Sequence, residues 1–155
     1  MICKPRWASD RAKPEISAAF RGAQNTMYLP ISLASAAAAA AVNIWLSLRI
    51  GMVRNAKKIS VGDGGDEALI RRMRAQANFI ENAPIVLILI AVIEAARPGS
   101  YVLAGVAAAF VLARVAHGLG MDGGALGIGR VIGTLVTMLS LLGLAIWAAT
   151  LAIAP

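Results

Sequence analysis

Arg71, Arg74, Asn78 and Glu81 fall at offsets of three, four and three residues, which on an α-helix stacks them along one stripe. Past Pro84 the same segment becomes the apolar run 85–93, so guanidinium, amide and carboxylate groups enter a hydrophobic span. An ionisable group at that depth costs about 3 kcal/mol or more unless it is paired, solvated or used. Two further sets occur in later apolar segments. Arg114 and His117 stand at i and i+3, and Arg130 follows Gly127 and Gly129 with Gly133, Thr134 and Thr137 on its own face. Guanidinium groups on three hydrophobic helices, with an amide and an imidazole beside them, suit one internal site for a small anion, because arginine grips carboxylates and phosphates through a planar fork.

Each set also has a plainer reading. Arg71 and Arg72 can snorkel to lipid headgroups, with Glu81 pairing one of them; Asn78 and Glu81 lie deeper and gain nothing from snorkelling. Arg114 is expected to neutralise Glu81 across the bundle, with His117 and Asn78 supplying the extra hydrogen bonds a buried pair needs. His117 is read either as a hydrogen-bonded structural residue or as part of the site. Gly129 and Gly133 form a small-xxx-small pair, a packing notch that equally leaves room for a ligand beside Arg130. Gly62-Asp63-Gly64-Gly65 lacks the Lys-Ser/Thr ending of a phosphate loop and reads as a turn, as does Asp122-Gly123-Gly124. Glu94 is expected at a membrane interface as a solvated pair with Arg97.

The elements that carry these groups are hydrophobic helices. The 155 residues are 59% hydrophobic and 15% charged, with a mean hydropathy of +0.72, which leaves too little polar surface for a soluble domain. The net charge of +7 is not a nucleic-acid footprint, since the basic residues sit in the N-terminal tail, one loop and a few positions inside spans. Cys3 is the single cysteine, which excludes an internal disulfide, and with His117 the single histidine no metal site is expected.

Four spans are predicted, at 28–53, from Asp66 to about Ala96, at 101–119 and at 128–153, giving an all-α integral membrane four-helix bundle. Asp66 and Glu67 cap the second helix, Arg97-Pro98-Gly99 ends it, and Pro84 is expected to kink it. The alanine run 36–41 offers a smooth surface for a neighbouring helix. Lysines and arginines crowd the first loop and its flanks, whereas the second loop carries Arg97 alone, so the first loop is expected to be cytoplasmic. Residues 1–26 are read as a disordered tail or an over-extended start, with the membrane domain at 27–155.

The run Arg74-Ala75-Gln76-Ala77-Asn78-Phe79-Ile80-Glu81-Asn82-Ala83-Pro84, with Gly62-Asp63-Gly64-Gly65 before it and Arg114-Val115-Ala116-His117 and Arg130 after it, resembles the MAPEG family, membrane-associated proteins of eicosanoid and glutathione metabolism. The likeness is to its short bacterial members and covers about 28–153. It implies a homotrimer in a bacterial inner membrane that binds glutathione as co-substrate between protomers near the cytoplasmic side. By this resemblance Arg74, Asn78, Glu81, Arg114 and His117 line the glutathione cradle, joined by Arg71 on the same stripe. Arg130 would hold the thiolate, and Arg49 or Arg54 would be an assisting first-span arginine. The eukaryotic members carry tyrosines at the places of Met121 and Thr134, a frequent histidine at Gln76 and a frequent arginine at Ala77.

The function implied is a transferase or peroxidase that turns the thiolate on a lipophilic electrophile arriving from the bilayer. The alternative is a non-catalytic member binding another small anionic or amphipathic ligand. A small multidrug-type exporter fits the size, but such carriers want an acidic residue in the first span, and 28–53 contains none.

Overall fold

In the computed structural model, residues 28–123 and 127–153 are described, and within them the chain forms four α-helices: α1 (Pro30–Lys57), α2 (Glu67–Ala96), α3 (Tyr101–Gly120) and α4 (Ile128–Ile153). The expected tail at 1–26 lies outside the described residues. Each helix has the length and composition to cross a membrane, the shortest having 20 residues, or about 30 Å at 1.5 Å per residue. The first span runs one turn beyond the expected end at Val53, because Arg54 to Lys57 continue the helix until Lys58 adopts a left-handed φ of 55° and turns its N–H back to Arg54 and Asn55.

The starts of α2 and α3 follow their sequence signals. The Asp66 carboxylate accepts from Leu69 N at 2.9 Å, and Ser100 Oγ accepts from Leu103 N at 3.3 Å. That Leu69 N–H, followed by Lys57 at 3.4 Å, holds the Asp66 carboxyl below its ordinary value. The loop before Asp66 is a turn, as read: Gly62, Gly64 and Gly65 have φ of 72°, 57° and 71°, a region that glycine occupies without steric cost. α2 continues through Pro84 to Ala96.

α1 starts differently. Leu29 at its N-cap offers no side-chain acceptor, and the free N–H groups of the first turn are taken by Glu94, 63 residues away: Oε1 accepts from Ile31 N at 2.8 Å, and Oε2 from Ser32 N at 2.7 Å and Ser32 Oγ at 2.5 Å. This corrects the expectation of a solvated Glu94–Arg97 pair. Glu94 is 1% exposed and belongs to α1, whose helix start needs an anion more than Arg97 does.

Leu46, Phe79, Val86, Ile90, Phe110 and Leu144 pack together in the centre, while Leu48, Ile88, Leu112 and Leu139 are each at least 63% exposed on the outer surface. Such an outward apolar shell requires hydrocarbon around it, so the protein is an integral membrane four-helix bundle. α3 and α4 approach most closely. A methyl placed on Gly133 would come within 2.6 Å of the Ala113 carbonyl oxygen, and one on Gly129 within 2.5 Å of that of Ala116, so the small-xxx-small pair acts as a helix notch.

Candidate functional site

The first turns of α2, the last turn of α3 and the first turns of α4 lie at the same end of the bundle, the end of the α1–α2 loop. Between them is a cavity of about 540 Å³, within the size range of small-molecule sites, roughly 300–1,000 Å³. The stripe read from the sequence faces it, with Arg71, Arg74, Asn78 and Glu81 on one wall. His117 from α3, Met121 just past its end, and Arg130 and Thr134 from α4 also line it. Three guanidinium groups share the cavity with one carboxylate, so its field favours an anionic ligand. Arg71 is partly neutralised by Glu67, one turn back, at 2.9 Å.

Backbone contact fixes where Arg130 starts. A methyl on Gly120 would lie 2.2 Å from Arg130 N and 2.6 Å from Gly129 C, so the end of α3 and the start of α4 touch main chain to main chain. Thr134 Oγ1 donates to the Arg130 carbonyl at 2.9 Å, and His117 Nδ1 stands 3.4 Å from that carbonyl and 3.4 Å from Thr134 Oγ1. His117, 5% exposed, thus links the two helices and also borders the cavity. Both readings of this histidine have support in the geometry.

Arg114 lies behind the wall and does not line the cavity. It is 1% exposed; one terminal nitrogen donates to Asn78 Oδ1, the other donates to the Gly133 carbonyl at 2.5 Å, and its guanidinium carbon is 5.9 Å from the Phe110 ring centroid. The expected Arg114–Glu81 neutralisation is replaced by this arrangement, since the amide and the main-chain carbonyl lie in the bundle and Glu81 points outward into the cavity. Arg114 therefore orients Asn78 and braces α4 one turn after Arg130. No ion pair of Glu81 occurs among the described residues.

The first-span arginines lie elsewhere in the chain. Arg49, 6% exposed, stacks over the Trp45 ring at 4.7 Å, donates to the Gly118 carbonyl at 2.8 Å and pairs with Asp122. Arg54 lies against Met73, its Nη2 3.7 Å from Sδ. Neither lines the cavity of its own chain. Sequence reasoning missed Asp122 as a partner. Its second oxygen meets Arg72 Nε at 3.3 Å, and Arg72 also donates to the Arg49 carbonyl at 2.9 Å, so one carboxylate clasps α1, α2 and the end of α3 beside Met121. It likewise missed Gln76, which donates to Ser47 Oγ at 2.6 Å across the α1–α2 seam. Only the polarity of these residues hinted at such roles.

Comparison with known families decides the classification: the family model described as MAPEG family matches residues 32–150, most of the chain. The protein belongs to the MAPEG family. The matched range reaches into all four helices and includes every residue at the cavity. No curated protein and no solved structure matches this MAPEG chain. The MAPEG family includes glutathione transferases and peroxidases as well as non-catalytic members.

Proposed function

We propose that this MAPEG protein is a glutathione-dependent transferase or peroxidase of a bacterial inner membrane, with the cavity end cytoplasmic, acting on lipophilic electrophiles. The observation that carries the reading is the convergence of Arg71, Arg74 and Arg130 with Asn78, Glu81 and His117 on one cavity. Glutathione has two carboxylates, an ammonium and a thiol of pKa about 8.5, so little thiolate exists at neutral pH. Arg71 and Arg74 suit its carboxylates, Glu81 its ammonium, and Asn78, held by Arg114, a backbone amide. Arg130 then faces the sulfur, where a guanidinium in a poorly solvated site lowers the thiol pKa by one unit for every 1.4 kcal/mol or so of thiolate stabilisation.

In the transferase reaction the thiolate sulfur attacks an electrophilic carbon, a C–S bond forms, and the leaving group departs with its electron pair. In the peroxidase reaction two glutathione molecules are oxidised to the disulfide while a hydroperoxide is reduced to an alcohol and water. The site is completed in a homotrimer, with glutathione between adjacent protomers. Of the two first-span arginines, Arg49 is committed to Asp122 and Gly118, so Arg54 is the one we assign to a neighbouring protomer's site.

One observation favours the alternative, a non-catalytic member that holds another small anionic or amphipathic ligand. Thr134 spends its hydroxyl on the Arg130 carbonyl, and Met121 offers a thioether, so neither supplies a phenol to the sulfur. The two readings part in one experiment, glutathione binding and conjugation of a generic aromatic halide by the purified protein and by Arg130→Ala. The enzyme reading expects binding in both and a loss of turnover of roughly a hundredfold or more in the variant. Unchanged turnover in the variant, or no glutathione binding by the parent, favours the alternative.

A further inference from the structure

The opposite end of the bundle holds a second concave region that the glutathione reading does not use. The α2–α3 turn and the last turns of α4 enclose a cavity of about 580 Å³ bordered by Arg97, Ser100, Trp147 and Thr150. Trp147 also lines an apolar groove of about 380 Å³ between α3 and α4, with Val106, Val136, Leu139 and Gly143 along it. The polar cavity and the apolar groove are therefore neighbours, with Trp147 common to both.

Three features match this pair of spaces to a single kind of molecule. Arg97 has no acidic partner among the described residues, because Glu94, three residues before it, is taken up by the start of α1. Ser100 Oγ accepts from Leu103 N, which leaves its hydroxyl proton to donate. The groove follows α4 from Val136 to Trp147, a rise of about 16 Å, or half of a ~30 Å hydrocarbon core. A cation and a hydroxyl donor at the membrane face, beside an apolar groove about one leaflet deep, complement a phosphate that bears an acyl chain.

We propose that this end of each chain binds one anionic phospholipid, with its phosphate on Arg97 and Ser100 and one acyl chain along the α3–α4 groove. The site is separate from the glutathione cavity and does not rest on that reading. Gly143 makes the groove testable: a Cβ there meets nothing within 4 Å, so the position opens onto the groove and a larger side chain would occupy it.

The experiment is native mass spectrometry of the full chain in detergent, delipidated and then titrated with phosphatidylglycerol or with phosphatidylcholine of the same acyl chains. The parent is expected to bind phosphatidylglycerol saturably, one per chain, in preference to phosphatidylcholine. Arg97→Gln should weaken it roughly fivefold, the worth of one cation near an anionic headgroup. Gly143→Phe should weaken it about tenfold or more, with an unchanged circular dichroism spectrum. Non-saturable uptake, equal uptake of both lipids, or retention unchanged in the two variants would overturn the proposal. So would a change of subunit number in Gly143→Phe with lipid binding intact, since the groove would then be a protein contact.

Discussion

Replacing Asn78 with leucine should destabilise the bundle by about 3 kcal/mol, through a residue that Asn78 touches and not through its own burial. Arg114 is 1% exposed and its Nε already has no hydrogen-bond partner. Two acceptors give each terminal nitrogen one hydrogen bond, Asn78 Oδ1 and the Gly133 carbonyl. A hydrogen bond to a charged group contributes about 1.5–3 kcal/mol, and stranding one partner of a buried ionic contact costs about 3–5. The surviving bond to Gly133 at 2.5 Å places this case where the two ranges meet. For a chain of this size the loss corresponds to a fall in Tm of roughly 6–12 °C, read by thermal unfolding in detergent. The double variant Asn78→Leu with Arg114→Met removes the stranded charge along with its acceptor. It should be more stable than the sum of the single losses by about 1 kcal/mol or more. A Tm for Asn78→Leu within about 2 °C of the parent, or strict additivity in the cycle, would refute the assignment of Arg114 as a brace held by Asn78.

Glu94→Gln puts an amide nitrogen opposite one of the donors on α1 and should cost about 2–3 kcal/mol in thermal unfolding; glutathione binding per folded molecule should be unchanged, because Glu94 lies at the far end from the cavity. Gly120→Ala forces main chain apart at Arg130 N, and a displacement on the order of 1 Å should lower turnover about a hundredfold while the far-end lipid is retained; unchanged turnover would mean that Arg130 tolerates the shift. Because the Asp66 carboxyl is held below its ordinary value of 3.8, its contribution to stability is complete above that value and disappears as pH falls through the lowered one. Acid unfolding curves of the parent and Asp66→Asn should accordingly differ above about pH 4 and converge only as the pH falls through the lowered value of the folded state.

What the sequence revealed and what it concealed divide along the distance between partners. The stripe from Arg71 to Glu81, the Asp66 cap, the end of α2 and both bounds of α4 depend on residues within a turn or two of one another, and those contacts repeat with helical period. Glu94 misled because its nearest charged neighbour in sequence is Arg97, whereas its partners are Ile31 and Ser32. The Arg49–Asp122–Arg72 clasp joins residues 73 and 50 positions apart, a pairing that no local pattern encodes. Arg114 was recognised as buried and in need of partners, yet an amide and a main-chain carbonyl satisfied it where a carboxylate was expected. Main-chain acceptors are the same at every residue, so sequence cannot point to Gly133.

In the proposed reaction Arg130 makes a sulfur anion tolerable at the edge of the hydrocarbon. The direct measurement is a pH titration of thiolate ultraviolet absorbance for glutathione bound to the parent and to Arg130→Ala. The bound thiol of the parent should titrate at least one unit below its free value of about 8.5, and the variant should return it close to that value. Equal midpoints in the two proteins, with glutathione bound to both, would contradict the assignment.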